Sequence, residues 1–226
     1  MPDCSIASTE NTGLDSIAGI DVLYQDQHIV VIDKPAGVLS VPGRVLKDSV
    51  TSRLQQAGLD VLVVHRLDCA TSGVMIFALD AASQKNLNRQ FQDRVPTKYY
   101  QALIAGELSA DDGLVDLPLI CDWPNRPLQK VCYEHGKPSQ TIWQKLESFQ
   151  LQQNLINRIL LKPITGRSHQ LRVHMKALGH PILGDAFYAT DSVKALSERL
   201  CLHAWKLKLK HPLTENWIEF EANLPF

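Results

Sequence analysis

"VLVVHRLDCATSGVMIFALD", residues 61–80, sets two apolar runs on either side of a short charged and hydroxylated stretch. The runs, 61–64 and 74–79, are brief and rich in β-branched residues, which predicts two strands joined by a turn. Between them stand Arg66 and Asp68. A carboxylate so close to two strands is partly desolvated, and holding it ionised takes a cation or several hydrogen-bond donors. Two readings are open on these residues alone. Asp68 is either half of a structural ion pair tying two parts of a sheet together, or a carboxylate kept charged beside a substrate. Thr71, Ser72 and Gly73 suit a tight turn whose hydroxyls bond nearby backbone and orient the aspartate. A cation is on offer in "TGRSHQLRVH", residues 165–174, where Arg167 precedes a predicted helix.

Outward from this stretch the chain is strand-rich. Further strands are predicted at 29–32, 99–106, 129–133, 139–146, 158–163, 202–209 and 217–222. Tyr99 and Tyr100 fall on one of them, so they face opposite sides; one could line a pocket, or both could be ordinary strand aromatics. Two helices are predicted. Residues 81–94 follow the N-cap Asp80, with Leu87 and Phe91 on the inner face and Lys85 and Arg89 outside. Residues 168–178 begin at Ser168, with Leu171, Met175 and Leu178 as the apolar stripe and Arg172 and Lys176 turned outward. Strands follow one another without regular βαβ alternation, so the expected class is α+β: a mixed, mostly antiparallel sheet decorated by helices. Residues 1–20 are polar and aperiodic and read as a disordered acidic tail, with one folded domain over 21–226.

Composition narrows the function classes. The 226 residues hold no apolar run of membrane-spanning length, and the amino terminus has neither the basic start nor the apolar centre of a secretory signal, so a cytoplasmic protein is expected. Five cysteines at wide, uneven gaps form neither a disulfide framework nor a zinc knuckle. His169 and His174, five apart, diverge on a helix and do not make a metal pair. Phosphate-binding loops of the GxxxxGK[ST] and GxGxxG types are absent, as is the GxSxG elbow. Formal net charge is −1, yet residues 1–33 carry six acids and no Lys or Arg, whereas residues 122–176 carry nine Lys or Arg against three acids. That segment is either a solvated basic face or the footprint of a polyanion.

Four segments in order resemble the RluA family of pseudouridine synthases: "YQDQHIVVIDKPAG", "HRLDCATSG", "KYYQA" and "LKPITGRSHQLRVHMKALGHPILGD", together covering about residues 22–222. Cys69 occupies a variable position of the second, and Asp33 stands where an asparagine is often found in the first. Residues 113–141 are similar to the dual-specificity subgroup, which modifies a uridine in 23S rRNA and one in the tRNA anticodon stem-loop. The resemblance implies uridine 746 of the former and uridine 32 of the latter as targets. It implies a sheet in two halves with an active cleft, no S4 domain before the first segment, no cofactor or metal, and a monomer acting on RNA. Asp68 becomes the catalytic aspartate, attacking the anomeric carbon or removing a neighbouring sugar proton. Tyr100 stacks on the uracil and Arg167 pairs with Asp68. Arg66 fills the space left by the flipped base, and His65, Lys34, Arg126, Lys130 and Arg172 join it in binding RNA. Two rivals remain in view: a glycoside hydrolase, which would need a second carboxylate, and an RNA-binding module without turnover.

Overall fold

A computed structural model describes residues 14–226, with side chains from Ser16 onward. The chain divides into two compact units, one formed by residues up to 98 together with 204–225, the other by residues 99–203 with Phe226. In chain order the elements are β1 (Leu14–Ile17), β2 (Ile20–Gln25), β3 (Ile29–Lys34), α1 (Val50–Gln56), β4 (Leu62–Val63), β5 (Ser72–Ala78), α2 (Ala81–Gln92), β6 (Thr97–Ala105), β7 (Asp112–Asp116), β8 (Leu119–Cys121), β9 (Gln129–Val131), β10 (Gln140–Leu151), β11 (Asn154–Pro163), α3 (Gln170–Ala177), α4 (Asp191–Lys194), β12 (Leu202–Lys210) and β13 (Trp217–Glu221). Strands outnumber helices and the class is α+β, as the alternation pattern leads one to expect.

The first unit is built on the strand order β1-β2-β3-β5-β12, with β13 beside β12 and β4 beside β5. Strands β3 and β5 pair antiparallel, Asp33 opposite Val74 and Lys34 opposite Gly73. Every residue of β5 is buried, which is why its sequence is an unbroken apolar run rather than an alternating one. Ile29, Val31, Val74, Ile76, Leu207, Leu209 and Phe220 form one core, and α2 lays Leu87 and Phe91 onto it. That helix starts where predicted: Asp80 accepts from the Ser83 N–H at 2.8 Å and from its hydroxyl at 2.6 Å. The Gln90 side chain clasps the backbone of Lys210 from both sides, donating to its carbonyl at 2.8 Å and accepting from its N–H at 3.0 Å.

The second unit holds the antiparallel order β6-β11-β10-β7, and a separate hairpin of β8 and β9. The β10–β11 hairpin turns at Gln152 and Gln153, both at positive φ, and runs well past the predicted strand ends. On the β10 side of its outer half, Glu147–Leu151, three of the five residues are exposed and polar, so hydrophobic alternation is too weak there to reveal a strand. Strand β7 escapes prediction for a related reason. It carries Asp112, Gly113 and Asp116, poor strand residues, and is held by backbone pairing to β10.

Three expectations are corrected. Residues 14–17 form β1 against β2, so the predicted tail is too long by at least these residues, and its first 13 lie outside the described chain. Helix α3 starts at Gln170 rather than Ser168. Its N-cap is His169, in the left-handed region at φ 53°, with no side-chain cap. The outward face expected for Arg172 is inward: the side chain is 3% exposed and grips the fully buried Asp185 through Nε at 2.8 Å and Nη2 at 2.6 Å. A buried bidentate pair of this kind satisfies both charges with good geometry.

Candidate active site

Asp68 is half-buried and opens a four-residue turn closed by the Thr71 N–H, which donates to the Asp68 carbonyl at 3.1 Å. The turn therefore falls earlier than predicted, and Ser72 and Gly73 already belong to β5. What holds it is the loop that follows β3. The Gly37 N–H donates to the Cys69 carbonyl at 2.9 Å, and the Cys69 thiol lies 3.2 Å from the Gly37 carbonyl. On the other side of the aspartate, the Leu67 N–H donates to Ser40 Oγ at 3.1 Å, and that hydroxyl donates back to the Leu67 carbonyl at 2.7 Å. Asp68 is thus pinned on both flanks.

Lys34, expected at the RNA surface, is fully buried. Its ammonium donates to the carbonyls of Pro35 at 2.8 Å and Cys69 at 3.0 Å. It fastens the Asp68 turn to the end of β3 and is not available to a phosphate. Gly73 completes the support: at φ 115° it lets the backbone of Ala204 approach so closely that an added Cβ would lie 2.3 Å from the Ala204 oxygen.

His65 is likewise engaged. Its Nε2 accepts from the Ile76 N–H at 3.1 Å and its ring stacks on Phe91, centroids 4.8 Å apart. Burial first, and Lys98 second, push its pKa down to about 3. A neutral imidazole acting as acceptor holds β5 at Ile76; it brings no positive charge to RNA. Arg66, beside it, is exposed.

In the second unit Tyr100 lies on β6 opposite Leu161 of β11, and Arg167 lies exposed in the turn between β11 and α3. Tyr99 faces the other way, with the Lys162 ammonium 5.8 Å from its ring centroid. The turn of Arg167 is set by side chains. Gln170 Oε1 accepts from the Arg167 N–H at 3.0 Å and from the Thr165 hydroxyl at 2.7 Å, and Thr165 in turn accepts from the Gln140 N–H at 2.9 Å. Gln170 Nε2 donates to the Gln140 carbonyl at 2.9 Å and to Thr141 Oγ1 at 3.0 Å. His174 closes the chain, 2.9 Å from Thr141 Oγ1 through Nδ1 and 3.1 Å from the Leu117 carbonyl through Nε2. Only the tautomer protonated at Nε2 satisfies a carbonyl there, and burial lowers the pKa of this ring. Gln170 and His174, one helical turn apart, share the buried face. That i, i+4 polar pair was the signal in the sequence for this network, which the apolar-stripe reading passed over.

The remaining basic candidates lie on the β8–β9 hairpin. Arg126 is exposed, its guanidinium 4.4 Å from the Trp123 ring centroid. Lys130 is exposed and 3.1 Å from the Asp122 carboxylate, which Asn125 and Lys130 together hold below its usual pKa. Arg172 is withdrawn from the expected RNA contacts by its pairing with Asp185. Among the described residues no group of three or more His, Cys, Asp or Glu is placed to hold a metal ion, and no helix is long and apolar enough to cross a membrane.

Comparison with known proteins puts these features in context. A family model described as RNA pseudouridylate synthase matches residues 28–177. A dual-specificity RNA pseudouridine synthase RluA from Escherichia coli O157:H7 is 55% identical over 207 residues, 91% of this chain and 93% of that protein. The RluA of Pasteurella multocida is 52% identical over 205 residues, 90% and 92% of the two chains. Among solved structures, human RNA pseudouridylate synthase domain containing 1 superposes with a TM-score of 0.81 at 28% identity, covering 94% of this chain and 86% of that one. Human RNA pseudouridylate synthase domain containing 4 gives 0.71 at 26%, covering 90% and 88%.

Proposed function

Because this chain belongs to the RluA family of pseudouridine synthases, we propose that it acts with dual specificity, converting uridine 746 of 23S rRNA and uridine 32 of the tRNA anticodon stem-loop to pseudouridine. Membership makes the chain an RNA-modifying isomerase. The targets are carried by the similarity to the dual-specificity relatives, which extends through residues 113–141. A single RNA target is the alternative. Action as a monomer in the cytoplasm, without metal or cofactor, completes the reading.

The chemistry asks little besides positioning. The bond between the uracil nitrogen and the anomeric carbon breaks, the base turns, a bond forms from its C5 to the same sugar carbon, and the C5 proton is lost while the nitrogen regains one. No atom is gained or lost overall. Asp68 is the reacting carboxylate, whether as nucleophile or as base toward the sugar. Tyr100 stacks on the uracil and Arg167 supplies positive charge to the step. Arg66 occupies the space left by the flipped base, whose extrusion costs a few kcal/mol, and Arg126 and Lys130 approach phosphates.

The observation that carries this reading is the double clamp on Asp68. An aspartate whose neighbours Leu67 and Cys69 are held by Ser40 on one flank and by Gly37 and Lys34 on the other has its backbone fixed in advance, which favours attack on one reacting carbon. The test is tritium release from C5-labelled uridine in transcripts of the two RNAs, with metal chelated. Release from both, lost in Asp68→Asn with RNA binding kept within severalfold, is the expected result. An Asp68→Asn protein that turned over like wild type would overturn the assignment, and release from one transcript alone would reduce the function to a single target.

A further inference from the structure

Trp123 stands out among the four tryptophans. Trp143 is 7% exposed, and Trp205 is half-buried with its indole N–H on Glu221 at 2.9 Å. Trp217 is half-buried between Lys208 and Lys210. Trp123 is 63% exposed, at the start of a 3₁₀ turn (Trp123–Asn125) inside the β8–β9 hairpin. The turn does not need the indole for its shape. Asp122 N–H donates to the Leu128 carbonyl at 2.9 Å, Leu128 N–H to the Asn125 carbonyl at 3.0 Å and Asn125 N–H to the Asp122 carbonyl at 2.9 Å. The Asp122 carboxylate takes the Asn125 amide at 2.9 Å and Lys130 at 3.1 Å, and the Gln129 N–H is anchored on the Tyr188 hydroxyl at 2.9 Å. A large apolar ring is therefore held in a rigid frame facing solvent, with an arginine stacked against it.

We propose that Trp123 and Arg126 form a stacking platform for an unpaired base of the RNA substrate, outside the reacting uridine. The proposal rests on the reading of the chain as an RNA-modifying enzyme and deepens it. An aromatic face accepts any base by stacking, and a guanidinium lying over the indole extends the platform and draws it toward phosphate. Charge favours RNA over a protein partner here: Arg126 lies over the ring, Lys130 is exposed on β9, and a second exposed aromatic, Tyr133 at 78%, follows on the same segment. Preorganisation matters because a ring that is already fixed loses little conformational freedom on binding.

The experiment uses the full chain and the two transcripts, with Kd measured for wild type, Trp123→Ala and Trp123→Phe. Trp123→Ala should weaken binding of at least one RNA by about 5- to 100-fold, the range of a lost base–aromatic stack, while its thermal midpoint stays at the wild-type value. Trp123→Phe should keep most of the affinity. Transcripts with single abasic sites then locate the base. At one position the abasic site should weaken wild type by the same factor as Trp123→Ala and weaken the Ala variant no further. Unchanged Kd for both RNAs in Trp123→Ala overturns the platform, as does full additivity at every abasic position. Tritium release by the wild type judges the enzymatic reading separately, since the platform is decided on Kd alone.

Discussion

The turn that carries Asp68 and the turn that carries Arg167 are held in opposite ways. The first is clamped mainly through backbone: carbonyls of Leu67 and Cys69 and amides of Gly37 and Leu67 do the holding, with Ser40 and the buried Lys34 as intermediaries. The second hangs on a chain of buried side chains running from Thr165 through Gln170 and Thr141 to His174. A backbone clamp tolerates many side chains at its own positions but depends on close approach of the main chain. A side-chain chain accepts loose backbone but fails when one member is lost, because its neighbours are left buried and unsatisfied.

The largest effect should come from breaking the close approach. Gly73→Ala sets a Cβ against the backbone of Ala204 at a φ that L-residues rarely adopt, so a loss of at least about 4 kcal/mol is expected, or failure to fold, read by urea denaturation. A variant within 1 kcal/mol, roughly the size of an ordinary substitution, would show that the turn yields. Next comes Gln170→Leu, which removes four hydrogen bonds at constant approximate volume. It should cost about 2–3 kcal/mol and depress turnover, whereas Gln170→Glu should keep the acceptor contacts and part of the activity. If Leu behaved like wild type in both measurements, the side-chain network would not hold the Arg167 turn.

The smallest effect tests the junction of β5. The His65 pKa falls from 6.5 to about 3 on folding, so below pH 6.5 the unfolded chain takes up a proton that the folded one refuses. This contribution to stability is whole above about pH 6.5 and is lost as pH drops toward 3, at no more than about 1.4 kcal/mol per pH unit. His65→Gln can still accept from the Ile76 N–H and does not titrate. It should flatten the decline in urea midpoint between pH 7 and 5.5, and parallel curves would place the titration elsewhere.

Much of this was legible in the sequence, and the gaps have physical causes. Strand β5 announces itself because both of its faces are buried, and α2 because Asp80 supplies a cap. Strand β7 and the outer half of β10 are hidden because backbone pairing, not side-chain burial, holds them. The start of α3 was misplaced because Ser168 looks like a cap while the backbone caps at His169 in the left-handed region. At the site, the resemblance singles out Asp68, Tyr100 and Arg167. The residues that position Asp68 are hidden because each acts across a long stretch of chain: Ser40 meets Leu67 and Lys34 meets Cys69. Gln170, only three residues from Arg167, is passed over when α3 is read for its apolar stripe alone. Lys34 and Arg172 were misread for one reason. A basic residue read in sequence alone looks solvated until its buried partner is seen.

The same pairing changes how binding should respond to salt. Of the nine cations counted in residues 122–176, Lys145, Arg158 and Arg172 each hold a carboxylate of their own unit and are assigned no phosphate. A cation already neutralised in this way displaces few counterions from RNA. With about 0.7 counterion released per neutralised phosphate on a single strand, the segment would contribute a slope of about −4 in log affinity against log salt rather than about −6. About a third of the ionic-strength sensitivity implied by the composition is thus absorbed in holding the protein together, and recognition leans correspondingly more on shape than on field.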